Sequence, residues 1–439
     1  MNSSAVALKM DSIIDKYKRN FNLLRMMYLD VDYDLTFHTD SSGPVRDISF
    51  DTVEQRYLLS AYQDGSIVLF DMDSGKQLNT GGSAYTQLNR AVKCNIKRDT
   101  QSSALLSPVT CIQWYPVDTG TFYTSSVDNS IMLWDTNRFE CADLIKVPDF
   151  PSWIALSECA FNHNLVAVAL DRGENGRALL LDPLIGAPVM NLLGGHSAAG
   201  LSIIDWSRRS SYFVITGGHD GKILFWDIRT PVKPFCSLDR YNSSNAQPYS
   251  PEATAHAGSI LSMSFTPDGM HLLSWGGTGS NEEAMCLRMW SGGPDDTAAS
   301  HSFRPTLRPV NFGTIYSHPV SMQTSRVSTI PGVNRAGQAI SHRVKRTAVR
   351  MAVASGTPGD AWGAESVFIY VPARNRVLMA TAGRKHANTQ AIARHHDDVR
   401  ACVWNSKNQE LYTCGKDGNM FVWPIHRQLT GDCSDSLPA

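Results

Sequence analysis

The sequence lacks an excess of either charge: 40 Lys+Arg stand against 41 Asp+Glu. A general phosphate-backbone binder carries a basic surplus, so that class is excluded. No apolar run approaches the ~20 residues that cross a bilayer, and no apolar stretch follows a basic start, so neither a spanning helix nor a secretory leader is expected. The nine cysteines form no C-x-x-C pair. Zinc clusters and a secreted disulfide framework are therefore not expected, and free thiols in a reducing compartment are. H-E-x-x-H and G-x-S-x-G are both missing. Gly217–Lys222 resembles a phosphate loop, but it is one residue short and continues with Ile223 where Ser or Thr is needed. The cluster His395-His396-Asp397-Asp398 has metal-ligand chemistry, yet it falls where the repeat described next calls for a His. The chain reads as a non-enzyme without catalytic residues, metal or cofactor. Its 42% hydrophobic content suits a large core.

What is there is a repeat. Ser60, Thr124, Thr216 and Thr413 are followed by Asp64, Asp128, Asp220 and Asp417, and those by Phe70, Trp134, Trp226 and Trp423. The intervals are equal in all four copies. Gly or Asn follows each Asp and tolerates the positive φ of a tight turn. Each unit therefore reads as strand, Asp turn, strand, with the aromatic closing the second strand. A His upstream would bond the Asp, and the hydroxyl would bridge His to the indole N–H, satisfying buried polar groups within one unit. His196, Thr216, Asp220 and Trp226 form the complete set, and His396, Thr413, Asp417 and Trp423 are expected to form a second.

This is the WD-repeat pattern, which implies an all-β propeller of four-stranded blades. Weaker copies occur at Ala167–Asp182, His256–Trp290 and Val367–Met379, which brings the expectation to seven blades. Residues 38–427 exceed what seven blades of ~40–45 residues need. The excess is assigned to loops near 76–105, 231–254 and 292–343. The last is read as an irregular surface excursion that contains the outer strand of blade 5 and a loose basic patch, Arg335, Arg343, Lys345, Arg346 and Arg350, on a solvated face. Tyr33–His38 alternates in strand fashion and is expected to supply the outer strand of blade 7. The organisation is thus 1–32 helical docking segment, 33–427 propeller, and 428–439 disordered tail.

Residues 11–28 have a different period. At about 100° per residue, Ile13, Ile14, Tyr17, Phe21, Leu24 and Tyr28 fall in one arc of about 100°, the mark of an amphipathic helix. A propeller does not need this helix, which leaves packing on the propeller rim or docking into a partner. A partner or substrate face is expected at the mouth formed by the Asp turns, where Gln63, Val127, His219 and Lys416 each precede the Asp position and are taken to face solvent.

Several strings are more specific than a generic propeller: Gln55–Asp71, Gln113-Trp-Tyr-Pro-Val-Asp-Thr-Gly120, Leu133–Asn137, Phe265–Leu273 and Gln409–Tyr412. Together they resemble the Cockayne syndrome group A family. The resemblance implies a nuclear substrate receptor of a cullin-RING ubiquitin ligase, acting with stalled-transcription repair factors in transcription-coupled nucleotide excision repair. It also implies docking to an adaptor, damage-specific DNA-binding protein 1, through an N-terminal helix and W-D-x-R boxes. Ile13, Ile14, Tyr17, Phe21 and Leu24 would then face the adaptor, as would Arg229 of Trp226-Asp227-Ile228-Arg229. Trp134–Asn137 departs from the box at its fourth position, and Trp423-Pro424 departs altogether. No membrane or sequence-specific nucleic-acid contact is expected. A WD-repeat scaffold of another nuclear complex, in chromatin or signalling, remains the alternative.

Overall fold

Short runs rich in Val, Ile, Leu and aromatics, cut by Asp-Gly and Asn turns, are too short for helices and suit antiparallel strands. The computed structural model describes residues 35–36, 43–73, 86–87, 90–94, 107–159, 162–171, 177–241, 249–278, 285–291, 311–318, 328–333, 339–344, 348–355, 367–381 and 390–424. Seven antiparallel meanders follow one another along the chain. Their first, innermost strands are Val45–Phe50, Val109–Trp114, Pro151–Leu156, Leu201–Trp206, Ile260–Phe265, Ala352–Ser355 and Val399–Asn405, defining blades 1 to 7. Each innermost strand neighbours the next, and that of blade 7 neighbours that of blade 1. The ring closes as a seven-bladed propeller. Apolar side chains fill the spaces between blades, and indoles stitch them: Trp114 Nε1 donates to the Ser49 carbonyl, and Trp206 Nε1 to that of Ala155, both at 3.1 Å.

Meander topology sorts the turns. The second-to-third turns, which carry the repeat aspartates, share one face with the links between blades. The remaining turns lie on the opposite face. In blades 1 to 5 and 7 the ladder slips by one residue at the second position of the innermost strand, leaving Arg46, Thr110, Ser152, Ser202, Leu261 and Arg400 as the extra residues.

Arg350, expected on a solvated loop, instead crosses the propeller axis. Its backbone enters blade 6 beside blade 7, bonding Arg400 O and Cys402 N. Its guanidinium makes a two-pronged bond to Asp47 of blade 1 at 2.8 and 2.7 Å, and donates to the Ile112 carbonyl of blade 2 at 3.0 Å. It also lies over the Trp153 ring of blade 3, 4.8 Å from the centroid. The side chain leaves the basic patch because Asp47, buried in the centre, needs a cation.

A seam joins the last blade to the first. Asn405 Nδ2 donates to Gln55 O at 3.0 Å, Ser406 Oγ to Gln55 Oε1 at 2.6 Å, and Lys407 Nζ meets Asp73 at 3.0 Å. The strand expected to complete blade 7 does not join its sheet, which has three strands among the described residues. Leu35–Thr36 lies beside Met420–Pro424, but its ladder runs parallel to Thr86–Gln87, from the long excursion of blade 1. An open edge pairs with whatever backbone reaches it. The 292–343 insertion supplies the outer strand of blade 5, Asn311–His318, as expected, and adds a hairpin that was not, Ser328–Val333 paired with Ala339–Val344.

Arg350→Met should cost ~3–5 kcal/mol in urea unfolding, because it strands a buried Asp47. Adding Asp47→Leu should recover most of that loss. An undiminished single variant would show that the central pair does not hold the ring.

Candidate interaction surfaces

The interaction surfaces rest on buried polar chains inside the blades. In blade 4, Trp226 Nε1 donates to Thr216 Oγ1 at 2.9 Å, and Thr216 Oγ1 lies 2.8 Å from His196 Nε2. The hydroxyl proton is thus left for His196 Nε2, and Nδ1–H faces Asp220 Oδ1 at 3.1 Å. Burial alone would raise the Asp220 carboxyl. The hydrogen bond and charge of His196, with the N–H groups of Ser197 and Lys222, outweigh it and hold the group below the usual carboxylate range.

Blade 7 repeats the chain with a different His. His395, not His396, places Nε2 2.9 Å from Thr413 Oγ1 and Nδ1 3.1 Å from Asp417, while Trp423 donates to Thr413 at 2.9 Å. His395 is buried with its ring edge-on to Phe421, whereas His396 is exposed and only its N–H reaches Asp417. A one-residue shift turns a side chain to the other side of the backbone. Both ring nitrogens of His395 are engaged within the blade, so its imidazole serves the polar chain.

In blade 5, His256 Nε2 lies 2.7 Å from Ser274 Oγ, which accepts from Trp290 Nε1 at 2.8 Å. The atom facing His256 Nδ1 is Cys286 Sγ, at 3.3 Å, a contact absent from the expected template. Burial, then the charges of Arg288 and Arg240, push this imidazole down to about 3.

A signal for these chains was overlooked. Gly218, Gly276 and Gly415 each lie two residues after the bridging hydroxyl, and a Cβ there would come within 2.6–2.8 Å of the His ring. Blades 1 and 2 carry Tyr62 and Ser126 at that place and have no His 18 to 20 residues before Ser60 or Thr124.

The Asp-turn face differs from expectation. Val127 is fully buried against Phe150, and the His219 imidazole is buried with Nε2 at 2.9 Å from Asp171 Oδ1 of blade 3. A turn position is exposed only where the adjoining blade leaves it uncovered, and blade 3 covers both. Gln63 and Lys416 stay partly exposed, with Lys416 Nζ 2.6 Å from Asp398.

The opposite face carries the box arginine. Arg229 is exposed, yet its fork is already engaged: Nε and Nη2 meet the Asp227 carboxylate at 2.9 and 2.8 Å, and the guanidinium lies 4.5 Å from the Tyr212 ring centre. Turns of the same face expose apolar side chains one or two per blade: Val53, Val117, Leu184, Ile185, Val232 and Met270, with Leu184 86% and Val232 87% accessible. Its centre opens into a cavity of about 400 Å³ bounded by Phe50, Trp114, Phe265, Arg350 and Trp404. Ile13, Ile14, Tyr17, Phe21 and Leu24 lie outside the described residues.

Residues 101–135, 186–227 and 388–424 match the WD domain, G-beta repeat. The chain is 27% identical to the WD repeat-containing protein ATCSA-1 of Arabidopsis thaliana, over 93% of this chain and 91% of that protein. The ribosome biogenesis protein YTM1 of Phaeosphaeria nodorum is 30% identical over 28% of this chain and 25% of its own length. Among solved structures, the β-propeller domain of Cps50 (Swd1) from Myceliophteria thermophila superposes with a TM-score of 0.59 at 14% identity, covering 91% of this chain and 100% of that one.

Two outcomes follow for the buried chains. Trp226→Ala leaves a cavity and should cost ~3–5 kcal/mol, and Asp220→Ala leaves partners unpaired and should cost ~1–3 kcal/mol. A normally melting Asp220→Ala protein would mean that the chain is not structural. The second concerns pH. Between about 3 and the ~6.5 of an unfolded His, the unfolded chain binds a proton that His256 refuses. Stability should fall on acidification through that window, with His256 contributing up to ~1.4 kcal/mol per pH unit. Urea unfolding of His256→Gln between pH 6.5 and 4.5 should show a shallower slope than the parent, and identical slopes would remove His256 as the cause.

Proposed function

The chain is a WD-repeat β-propeller, and we propose that it is the substrate-recognition subunit of a cullin-RING ubiquitin ligase. It binds the damage-specific DNA-binding protein 1 adaptor and acts in the nucleus in transcription-coupled nucleotide excision repair. The carrying observation is the similarity to ATCSA-1 along almost the whole of both chains. The ribosome biogenesis match spans little more than a quarter of this chain. That breadth agrees with the Cockayne syndrome group A strings at Gln55–Asp71 and Gln113–Gly120.

The surface chemistry supports a protein-binding role. Large side chains such as Leu184 and Val232 stand in water on the face that also presents Arg229. Exposed apolar groups of this kind mark protein contacts. The adaptor sits on this face, with the helical segment of residues 11–28 adding Ile13, Ile14, Tyr17, Phe21 and Leu24. Arg229 reaches it by exchanging Asp227 for an adaptor acceptor, which a planar fork does better than an ammonium group. The Asp-turn mouth is left for substrate or repair factors, through Gln63 and Lys416 and not through the buried Val127 and His219.

Co-purification from cells tests this. Deletion of residues 1–32 should abolish recovery of the adaptor and cullin while leaving a folded propeller by circular dichroism. Arg229→Ala should weaken recovery with little change in Tm. Full recovery by both variants, or capture of an unrelated nuclear assembly without the adaptor, would favour the scaffold reading.

A further inference from the structure

Arg350 closes the middle of the channel, and the next layer of side chains toward the opposite face holds an acid without a cation. Asp47, Cys111 and Trp153, which Arg350 contacts, are each the third residue of an innermost strand. Side chains of a strand share a face at every second residue, so the fifth residues form the next layer of the same wall. Its polar members are Ser49, Gln113, Asp205 and Ser264 of blades 1, 2, 4 and 5, and the remaining positions are apolar. Ser49, Gln113 and Ser264 bound the cavity of about 400 Å³ at this mouth.

Several of these polar groups are idle. Ser49 is only 7% accessible, and neither its hydroxyl nor the Gln113 side-chain amide makes a hydrogen bond among the described residues. Asp205 Oδ1 accepts the Trp206 N–H at 2.9 Å, and no ion pair reaches its carboxylate among the described residues. Burial raises that carboxyl to about 7, with Glu158 adding to the rise, and Arg208, the Trp206 N–H and Arg350 only partly oppose it.

The cations nearby are committed. Arg208 Nη2 pairs with Glu158 on the cavity rim at 3.0 Å, and Arg350 pairs with Asp47. Asp51, also on the cavity wall, is saturated by the N–H groups of Glu54, Gln55, Arg56 and Tyr57. This end of the channel therefore carries more acid than base, and Asp205 is the acid with neither an ion pair nor a full set of hydrogen bonds. A carboxyl buried in that way is incomplete without a cation.

We propose that this end of the channel takes a lysine side chain of a protein partner docked on the same face, with Asp205 as its counter-charge and the Ser49 and Gln113 oxygens as further acceptors. An anion would meet Asp205 and Glu158 and is repelled. With Oδ1 already engaged, Asp205 suits a compact ammonium better than a guanidinium fork, which wants both oxygens. The three ammonium protons need several acceptors, and a carboxylate, a hydroxyl and an amide supply them. The four-carbon stem passes Phe50, Trp114, Phe265 and Trp404 at the mouth. Aromatic rings accept such methylenes and attract a cation over their faces. Any lysine-bearing partner on this face fits, so the inference does not depend on the ligase assignment.

The test uses the full-length protein and a small probe, Nα-acetyl-lysine methylamide, beside its norleucine and arginine counterparts, with binding followed by ligand-observed NMR. The lysine probe should bind at least about tenfold more tightly than the norleucine probe, with arginine between. A protonated Asp205 offers no charge, so affinity for lysine should rise from about pH 6 to about pH 8 while that for norleucine stays flat. Asp205→Asn should lose both the preference and the pH dependence, and should melt no lower than the parent because it removes a buried charge that has no partner. Gln113→Leu should weaken the lysine probe alone. Equal binding of lysine and norleucine would overturn the proposal, as would tighter binding of arginine than of lysine, or a preference unchanged in Asp205→Asn. If that variant does not fold, Gln113→Leu and the pH profile of the parent decide by the same readings. The probe needs no adaptor, so its failure would leave the ligase reading standing.

Discussion

One guanidinium holds the axis of this propeller. Blades of a repeat protein usually touch only their neighbours, but Arg350 leaves blade 6 and meets Asp47, Ile112 and Trp153 on three successive blades across the channel. Neither ion is tolerable there alone. Asp47 also accepts the N–H groups of Ile48 and Ile112, so its carboxylate is saturated only when Arg350 is seated. Breaking such a pair leaves an uncompensated buried charge, which costs more than the intact pair contributes. This one fixes how blade 6, the most degenerate copy, sits against the others.

The plug also divides the channel into two chemistries. On the Asp-turn side lies a rim of bulge residues whose seam is cationic. On the other lies a cavity edged by Phe50, Trp114, Phe265 and Trp404, surrounded by turns that expose Leu184, Ile185 and Val232. A disc with an apolar face and a separate polar mouth can hold two proteins at once without competition between them, which is what a receptor or a scaffold requires.

Much of the architecture was legible because the repeat is local. The interval from hydroxyl to Asp to Trp spans one hairpin, and hairpin geometry shows in sequence as turn residues and alternation. The His partner was legible only where its spacing was kept. The 18-residue separation of His256 and Ser274 recurs between His395 and Thr413, and the Gly two residues on marks the same blades, so His395 was recoverable. Arg350 was not: its partner Asp47 lies 303 positions away, and the neighbouring arginines disguised it as one more member of a basic loop. Val127 and His219 failed for a third reason. Exposure of a turn depends on the adjoining blade, here through Phe150 and Asp171, and no local pattern reports it.

The seam has a consequence in time. Asn405 and Gln55, whose bond closes blade 7 on blade 1, are 350 residues apart. At ~5–20 residues per second, roughly 20–70 s of synthesis separate them. Throughout that interval blade 1 has no neighbour on one side, and for most of it Asp47 waits without its cation. Sheet surfaces and edges left open in this way are templates for wrong pairing. Such a ring assembles late and as a whole, so its yield in the cell depends on how well the nascent blades are shielded before the final strands emerge.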